Sequence, residues 1–121
     1  MLVKCLKDCP EIVANDDSRL RELLHPANDG VNPGFSVAYA VVEPGGATVP
    51  HRLKTSTEVY YVIEGRATVH VGDEVRAVEP GCVVHIPPGT VQWVENTGDI
   101  PFRFLCIVSP PWRADDDERV E

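Results

Sequence analysis

Four histidines and four cysteines are the side chains of this chain best suited to bind or react, at positions 25, 51, 70 and 85 and at 5, 9, 82 and 106. The spacing Cys5-x3-Cys9 is not a CxxC, and no second close pair exists to complete a zinc knuckle. The N-terminus MLVKCLKDCPEIV carries Lys4, Lys7 and Asp8, which leaves no apolar core for a signal peptide. The cysteines therefore read as reduced thiols of a cytoplasmic protein. His70 alternates with Val69 and Val71, and His85 with Val84 and Ile86, so both should face away from an apolar interior. His25 stands in an N-terminal arm before Pro26 and reaches a central cavity only if that arm folds back.

The elements that must position such groups are strands. Val occurs 19 times against 7 Leu, and Gly plus Pro supply 20 of 121 residues. Valine is stiff at χ1 and suits strands, while glycine and proline punctuate turns. Strands are expected at Arg19–Leu24, Phe35–Glu43, Glu58–Ile63, Ala67–Val71, Glu74–Val78, Val83–Ile86, Val91–Glu95 and Phe102–Val108. Turn residues separate them, with Gly72-Asp73 as a tight hairpin. Frequent turn signals without a long helical pattern imply an all-β sandwich or barrel. The formal charge of −8 argues against a phosphate-tracking surface, so nucleic acid is not an expected partner. No apolar run approaches the roughly 18 residues that span a bilayer, so no membrane partner is expected.

Two segments carry a more specific signal. One reads Gly45-x5-His51-x-Leu53-x4-Glu58-x6-Gly65, and the other Gly81-x5-Pro87-x-Gly89-x2-Gln92-x3-Asn96. They resemble the two sequence motifs of the cupin superfamily, G-x5-H-x-H-x3–4-E-x6-G and G-x5-P-x-G-x2-H-x3-N. The resemblance implies a double-stranded β-helix, a jelly-roll barrel of two antiparallel sheets. The stretches RELLHP and FLCIVSPPW outside the motifs resemble small stand-alone cupins. The glycines and Pro87 end strands and speak for the barrel. Asn96 reads as a turn residue bonding nearby backbone.

In the family, both histidines of the first motif, its Glu and the His of the second hold a divalent metal. Here Leu53 and Gln92 stand at two of those four positions. The resemblance thus implies a reduced metal set of His51, Glu58 and Gln92, able to hold Fe, Mn, Zn or Ni. The competing reading is a metal-free polar cluster. A buried Glu58 without metal must be protonated or paired with His51, because an isolated carboxylate is too costly to bury. In that case Glu58 could serve as a general base, given a pKa near the working pH.

Strand parity completes the expected pocket: Leu53 from His51, Tyr60 from Glu58, Val94 from Gln92, and Phe104 with Cys106 if their face turns inward. Glu58 and Tyr60 are the candidate catalytic residues. Trp93 should face outward, where an aromatic suits a homodimer contact, and Trp112 should pin the tail to the barrel.

The expected organisation is an arm with a first strand at 1–34, a cupin barrel at 35–109 and a solvated acidic tail at 110–121. The expected function is binding of a divalent metal, a small polar organic molecule, or both, in the barrel cavity. Metal-dependent oxygenase, isomerase or lyase chemistry would suit it. The alternative is a metal-free, non-catalytic binding or sensing module.

Overall fold

The computed structural model describes residues 1–120. Its strands are β1 (Glu11–Val13), β2 (Arg19–Leu24), β3 (Ser36–Val42), β4 (His51–Leu53), β5 (Thr57–Glu64), β6 (Ala67–Val71), β7 (Glu74–Val78), β8 (Val83–Ile86), β9 (Gln92–Glu95), β10 (Phe102–Ser109) and β11 (Asp117–Arg119). A single helical turn, α1 (Pro26–Asp29), follows β2. The strands form two sheets, ordered β1-β2-β3-β10-β5-β8 and β11-β4-β9-β6-β7. Their named pairings are antiparallel. This is the double-stranded β-helix that the motifs imply.

Alternation makes the barrel. On β10, Phe102, Phe104, Cys106 and Val108 are buried, while Arg103, Leu105 and Ile107 between them are only partly covered. One face therefore lines the interior and the other stays accessible. Phe102 and Phe104 pack with ring centroids 4.9 Å apart. Together with Val62, Val94 and Ile86 they fill one half of the barrel. Gly65 closes the corner after β5: its φ is +83°, and a Cβ there would lie 2.5 Å from the Pro101 carbonyl oxygen. No other residue fits.

Two segments depart from the sequence expectation. Where Asn28-Asp29-Gly30 reads as loop, Pro26 opens the helical turn α1 at its first position, where a missing N–H is harmless. His25 caps that turn, its Nδ1 accepting from Ala27 N–H at 3.1 Å. The tail is not wholly solvated either. Strand β11 pairs with β4, and Asp116 is buried. Its carboxylate accepts from Thr55 N–H at 2.9 Å, Thr55 Oγ1 at 2.7 Å and Ser56 N–H at 3.1 Å. Those bonds, invisible in a run of acids, tie the tail to the β4–β5 loop. No helix among the described residues is long and apolar enough to cross a membrane.

Candidate functional site

The half of the barrel not filled by phenylalanines holds a cavity of about 150 Å³. His51 reaches it from β4, Glu58 and Tyr60 from β5, and Cys106 and Val108 from β10. The register explains this convergence. Cys106 lies opposite Tyr60, Val108 opposite Glu58, and His51 opposite Gln92 on β9. Residues 12–16 of the arm and Asp117 of β11 complete the lining. Asn15 Nδ2 donates to Asp117 Oδ1 at 3.1 Å, which clasps arm to tail. Trp112 does help hold the tail to the barrel, its backbone N–H donating to Ser36 Oγ on β3 at 2.9 Å, and it also lines the cavity.

Three of the five expected pocket residues, Leu53, Tyr60 and Cys106, line this cavity. Val94 and Phe104 do not: they face inward as parity requires, but lie deeper, in the packed core. Tyr60 marks the boundary, its ring set edge-on to Phe104 at 4.9 Å. Gln92 is fully buried. Its Oε1 accepts from the Tyr60 hydroxyl, and its Nε2 closes no hydrogen bond.

Histidine 51 is held in one tautomer. Its Nδ1–H donates to the Val49 carbonyl at 3.0 Å, because a carbonyl can only accept. With Nδ1–H so engaged, Nε2 is the ring nitrogen left toward the cavity. Its nearest acidic neighbour is Asp16 Oδ2 at 3.9 Å, beyond hydrogen-bond reach. Asp16 is itself anchored, Oδ1 accepting from Ser18 N–H at 3.0 Å and Ser18 Oγ at 2.6 Å. Val49 N–H donates to the Asp16 carbonyl at 2.8 Å, so Val49 fixes both partners.

Asp16 and Asp117 are site residues that strand parity missed. The only sequence signal was the Asn15-Asp16-Asp17-Ser18 turn, in which a carboxylate bonding backbone two residues on is common.

Burial dominates the chemistry of Glu58. Desolvation pushes its carboxyl up to about 8; the Gln92 amide and Cys106 oppose the rise, while Asp16 and Asp117 add to it. Burial likewise raises the Tyr60 hydroxyl and the Cys106 thiol well above their ordinary values. Cys106 is therefore a neutral wall residue at pH 7 and no activated thiolate.

The other histidines lie elsewhere. His70 stacks on Trp93 at 3.6 Å and meets Glu95 Oε1 at 2.6 Å on the outer face. His85 bonds Thr57 Oγ1 at 3.0 Å, and His25 Nε2 meets the Trp112 carbonyl at 2.7 Å. Asn96 is a turn residue, donating to the Val42 and Ile100 carbonyls at 2.9 Å and accepting from Gly98 N–H.

As arranged, Gln92 offers His51 and Glu58 no free oxygen as a third metal ligand. Gln92 engages its oxygen with Tyr60 and turns its amide nitrogen, which is no ligand, to the unpartnered side. Leu53 puts an aliphatic side chain on the strand face of His51. Among the described residues no three His, Cys, Asp or Glu side chains are grouped to hold an ion.

The fold is a double-stranded β-helical barrel with a largely apolar cavity at one end, into which a few acids and one histidine reach. Residues 38–108 match the Cupin domain family, and the chain belongs to it. Over 110 residues it is 39% identical to the Uncharacterized protein MJ1618 of Methanocaldococcus jannaschii, covering 90% of this chain and 86% of that one. It is 33% identical over 91 residues to the Tetracenomycin polyketide synthase protein TcmJ of Streptomyces glaucescens, covering 74% of this chain and 60% of TcmJ. The structure of the polyketide cyclase RemF from Streptomyces resistomycificus superposes with a TM-score of 0.82 at 24% identity, over all of this chain and 86% of RemF. That last likeness speaks to the fold alone.

Proposed function

We propose that this cupin is an enzyme that binds a small polar organic molecule in the barrel cavity and moves a proton on it, with Glu58 as the proton carrier. The observation that carries this reading is a buried carboxyl on the cavity wall whose pKa is lifted to about 8. A catalytic acid or base works best with a pKa near the operating pH. Glu58 as general base would take a proton from a carbon made acidic by a neighbouring carbonyl, and return it at a second position. The His51 Nε2 lone pair would accept a hydrogen bond from the substrate and orient it. Tyr60 and Gln92, bonded to each other, support the floor. Isomerisation, cyclisation and elimination share this proton step, and the polyketide name of TcmJ is consistent with the second. At about 150 Å³ the cavity suits a substrate smaller than drug-sized ligands, whose pockets start near roughly 300 Å³.

Exchange of carbon-bound hydrogen in deuterium oxide, followed by NMR over a panel of small carbonyl compounds, tests the reading. Glu58→Gln should slow exchange by about 10²–10⁴-fold. Equal exchange by parent and variant overturns it.

A divalent metal on His51, Glu58 and Gln92 is the second reading. It is favoured by the Nδ1–H bond of His51 to a backbone carbonyl, an arrangement common behind metal-bound imidazoles. It requires the Gln92 amide to turn over. A stoichiometric transition metal in protein purified without a His-tag, lost in Glu58→Ala, would replace the first reading.

A homodimer is also proposed. Trp93 is half-covered by its own stack with His70, whereas Tyr61, Ile63 and Val83 are exposed on the six-stranded sheet, which suits the contact better. Sedimentation at micromolar concentration checks this, and a monomer there rejects it.

A further inference from the structure

We propose that the cavity selects a small organic cation, an alkylammonium whose charged head bridges His51 Nε2 and Asp16 Oδ2. The inference rests on the reading that this cavity is the working site, and it names the class of molecule the site takes.

The two acceptors point to a missing donor. His51 is more than nine-tenths buried, yet its Nε2 has only Asp16 Oδ2 beside it, at 3.9 Å. At 3.9 Å the two atoms make no hydrogen bond to each other, and the Nδ1 hydrogen is spent on Val49. A nitrogen placed between them and carrying several N–H groups reaches both at ordinary hydrogen-bond length of about 2.9 Å. Both acceptors are held in place before any ligand arrives, His51 through the Val49 carbonyl and Asp16 through Ser18 and the Val49 N–H. Preorganised acceptors favour binding, because little freedom is lost when the donor arrives.

Charge decides between an ammonium and a neutral donor. Asp16, Glu22 and Asp117 line the cavity beside the largely protonated Glu58, and no Lys or Arg does. The neighbouring arginines are directed elsewhere. Arg19 pairs with Glu43, Arg21 donates to the Leu6 and Cys9 carbonyls, Arg52 pairs with Glu118, and Arg113 with Asp116. An anionic ligand would meet carboxylates without a counter-charge, which disfavours it strongly in a partly desolvated site. The rest of the lining is apolar, with Leu20, Ala38, Leu53, Val108 and Trp112 able to cover a short alkyl group.

Calorimetric titration with isobutylammonium, isobutanol and isobutyrate, which share an apolar body and differ in head-group charge, tests the proposal. Isobutylammonium should bind at least about tenfold more tightly than isobutyrate. Asp16→Asn keeps an oxygen for the Ser18 bonds and should bring that preference below about twofold, with the melting temperature near that of the parent. Raising salt from 0.05 to about 0.5 M should also narrow the preference in the parent. Isobutyrate binding as tightly as the ammonium, no saturable ammonium binding below about 100 mM, or a preference that survives Asp16→Asn each overturns the proposal. An anion preference beside intact Glu58-dependent exchange rejects the charge class and leaves proton transfer standing. Loss of the Glu58 effect with the cation preference retained does the reverse.

Discussion

Tyr60 and Gln92 join the two sheets of the barrel through one buried hydrogen bond, the phenol on β5 donating to the amide oxygen on β9. This bond separates the cavity from the phenylalanine core, since Tyr60 touches both. Removing only the hydroxyl leaves the fully buried Gln92 Oε1 without its donor. Tyr60→Phe should therefore destabilise by about 1–3 kcal/mol. The double variant Tyr60→Phe/Gln92→Leu removes both polar groups and should recover part of that loss. Urea unfolding of the four proteins in the cycle measures the coupling. A double variant no more stable than Tyr60→Phe would mean that packing, and not polar satisfaction, sets the stability here.

Glu58 should make the fold less stable as pH rises. Its carboxyl is held near 8 in the folded protein against an ordinary 4.5. Between those values the folded state keeps a proton that the unfolded chain has lost. Stability contributed by the neutral carboxyl is full below about 4.5 and lost as pH rises through about 8. At about 1.4 kcal/mol per pH unit, the difference is at most on the order of 5 kcal/mol. Glu58→Gln has no proton to lose, so the gap between variant and parent should widen in the variant's favour from pH 5 to pH 9. Parallel slopes of unfolding free energy against pH would contradict this.

Asp116 should act in the opposite sense and at lower pH. Burial alone would raise its carboxyl, but the bonds from Thr55 and Ser56 and the nearby Arg113 hold it below the ordinary 3.8. Its contribution is present above that value and is lost as pH falls through the lowered one. Asp116→Ala frees the Thr55 and Ser56 donors, which should cost about 1–3 kcal/mol. Hydrogen exchange should quicken in residues 117–119, because β11 is pinned by the turn that Asp116 ends. Unchanged protection there would show that the β4 pairing alone holds the tail.

Strand positions were legible to the residue where turn chemistry was unambiguous. Gly72-Asp73 delimits β6 and β7, and Pro80-Gly81 with Pro87 delimits β8, because few residue types tolerate such turns. Parity correctly turned His51, Leu53 and Tyr60 inward, and it left open the direction of Cys106, which the structure turns to the cavity. It could not say how deep along the barrel axis each residue sits, so Val94 and Phe104 were assigned to the cavity although they belong to the core. The arm and tail were harder for a different reason. Asp16 and Asp117 acquire their places through partners distant in sequence, and an acid in a polar run carries no local sign of which one will be buried.

The two motif positions without histidine offer a direct test of whether the site converges as the register implies. Gln92 lies opposite His51 across β4 and β9, and Leu53 shares the inward face of His51 two residues on. Leu53→His/Gln92→His should therefore aim two more imidazoles toward His51 and Glu58. The double variant should bind Ni, Zn or Co at least about tenfold more tightly than the parent, a gain of about 1.4 kcal/mol. Without metal it should melt lower, since it buries two imidazoles and removes the partner of the Tyr60 hydroxyl. Metal should restore the melting temperature by mass action, because the ion binds the folded state and the unfolded chain only weakly. Calorimetric titration of both proteins measures the difference. A folded double variant with no gain in affinity would mean that the Leu53 and Gln92 positions do not converge on His51. Proximity of His51 to Gln92 in the ladder would then be a matter of backbone register and not of side-chain direction.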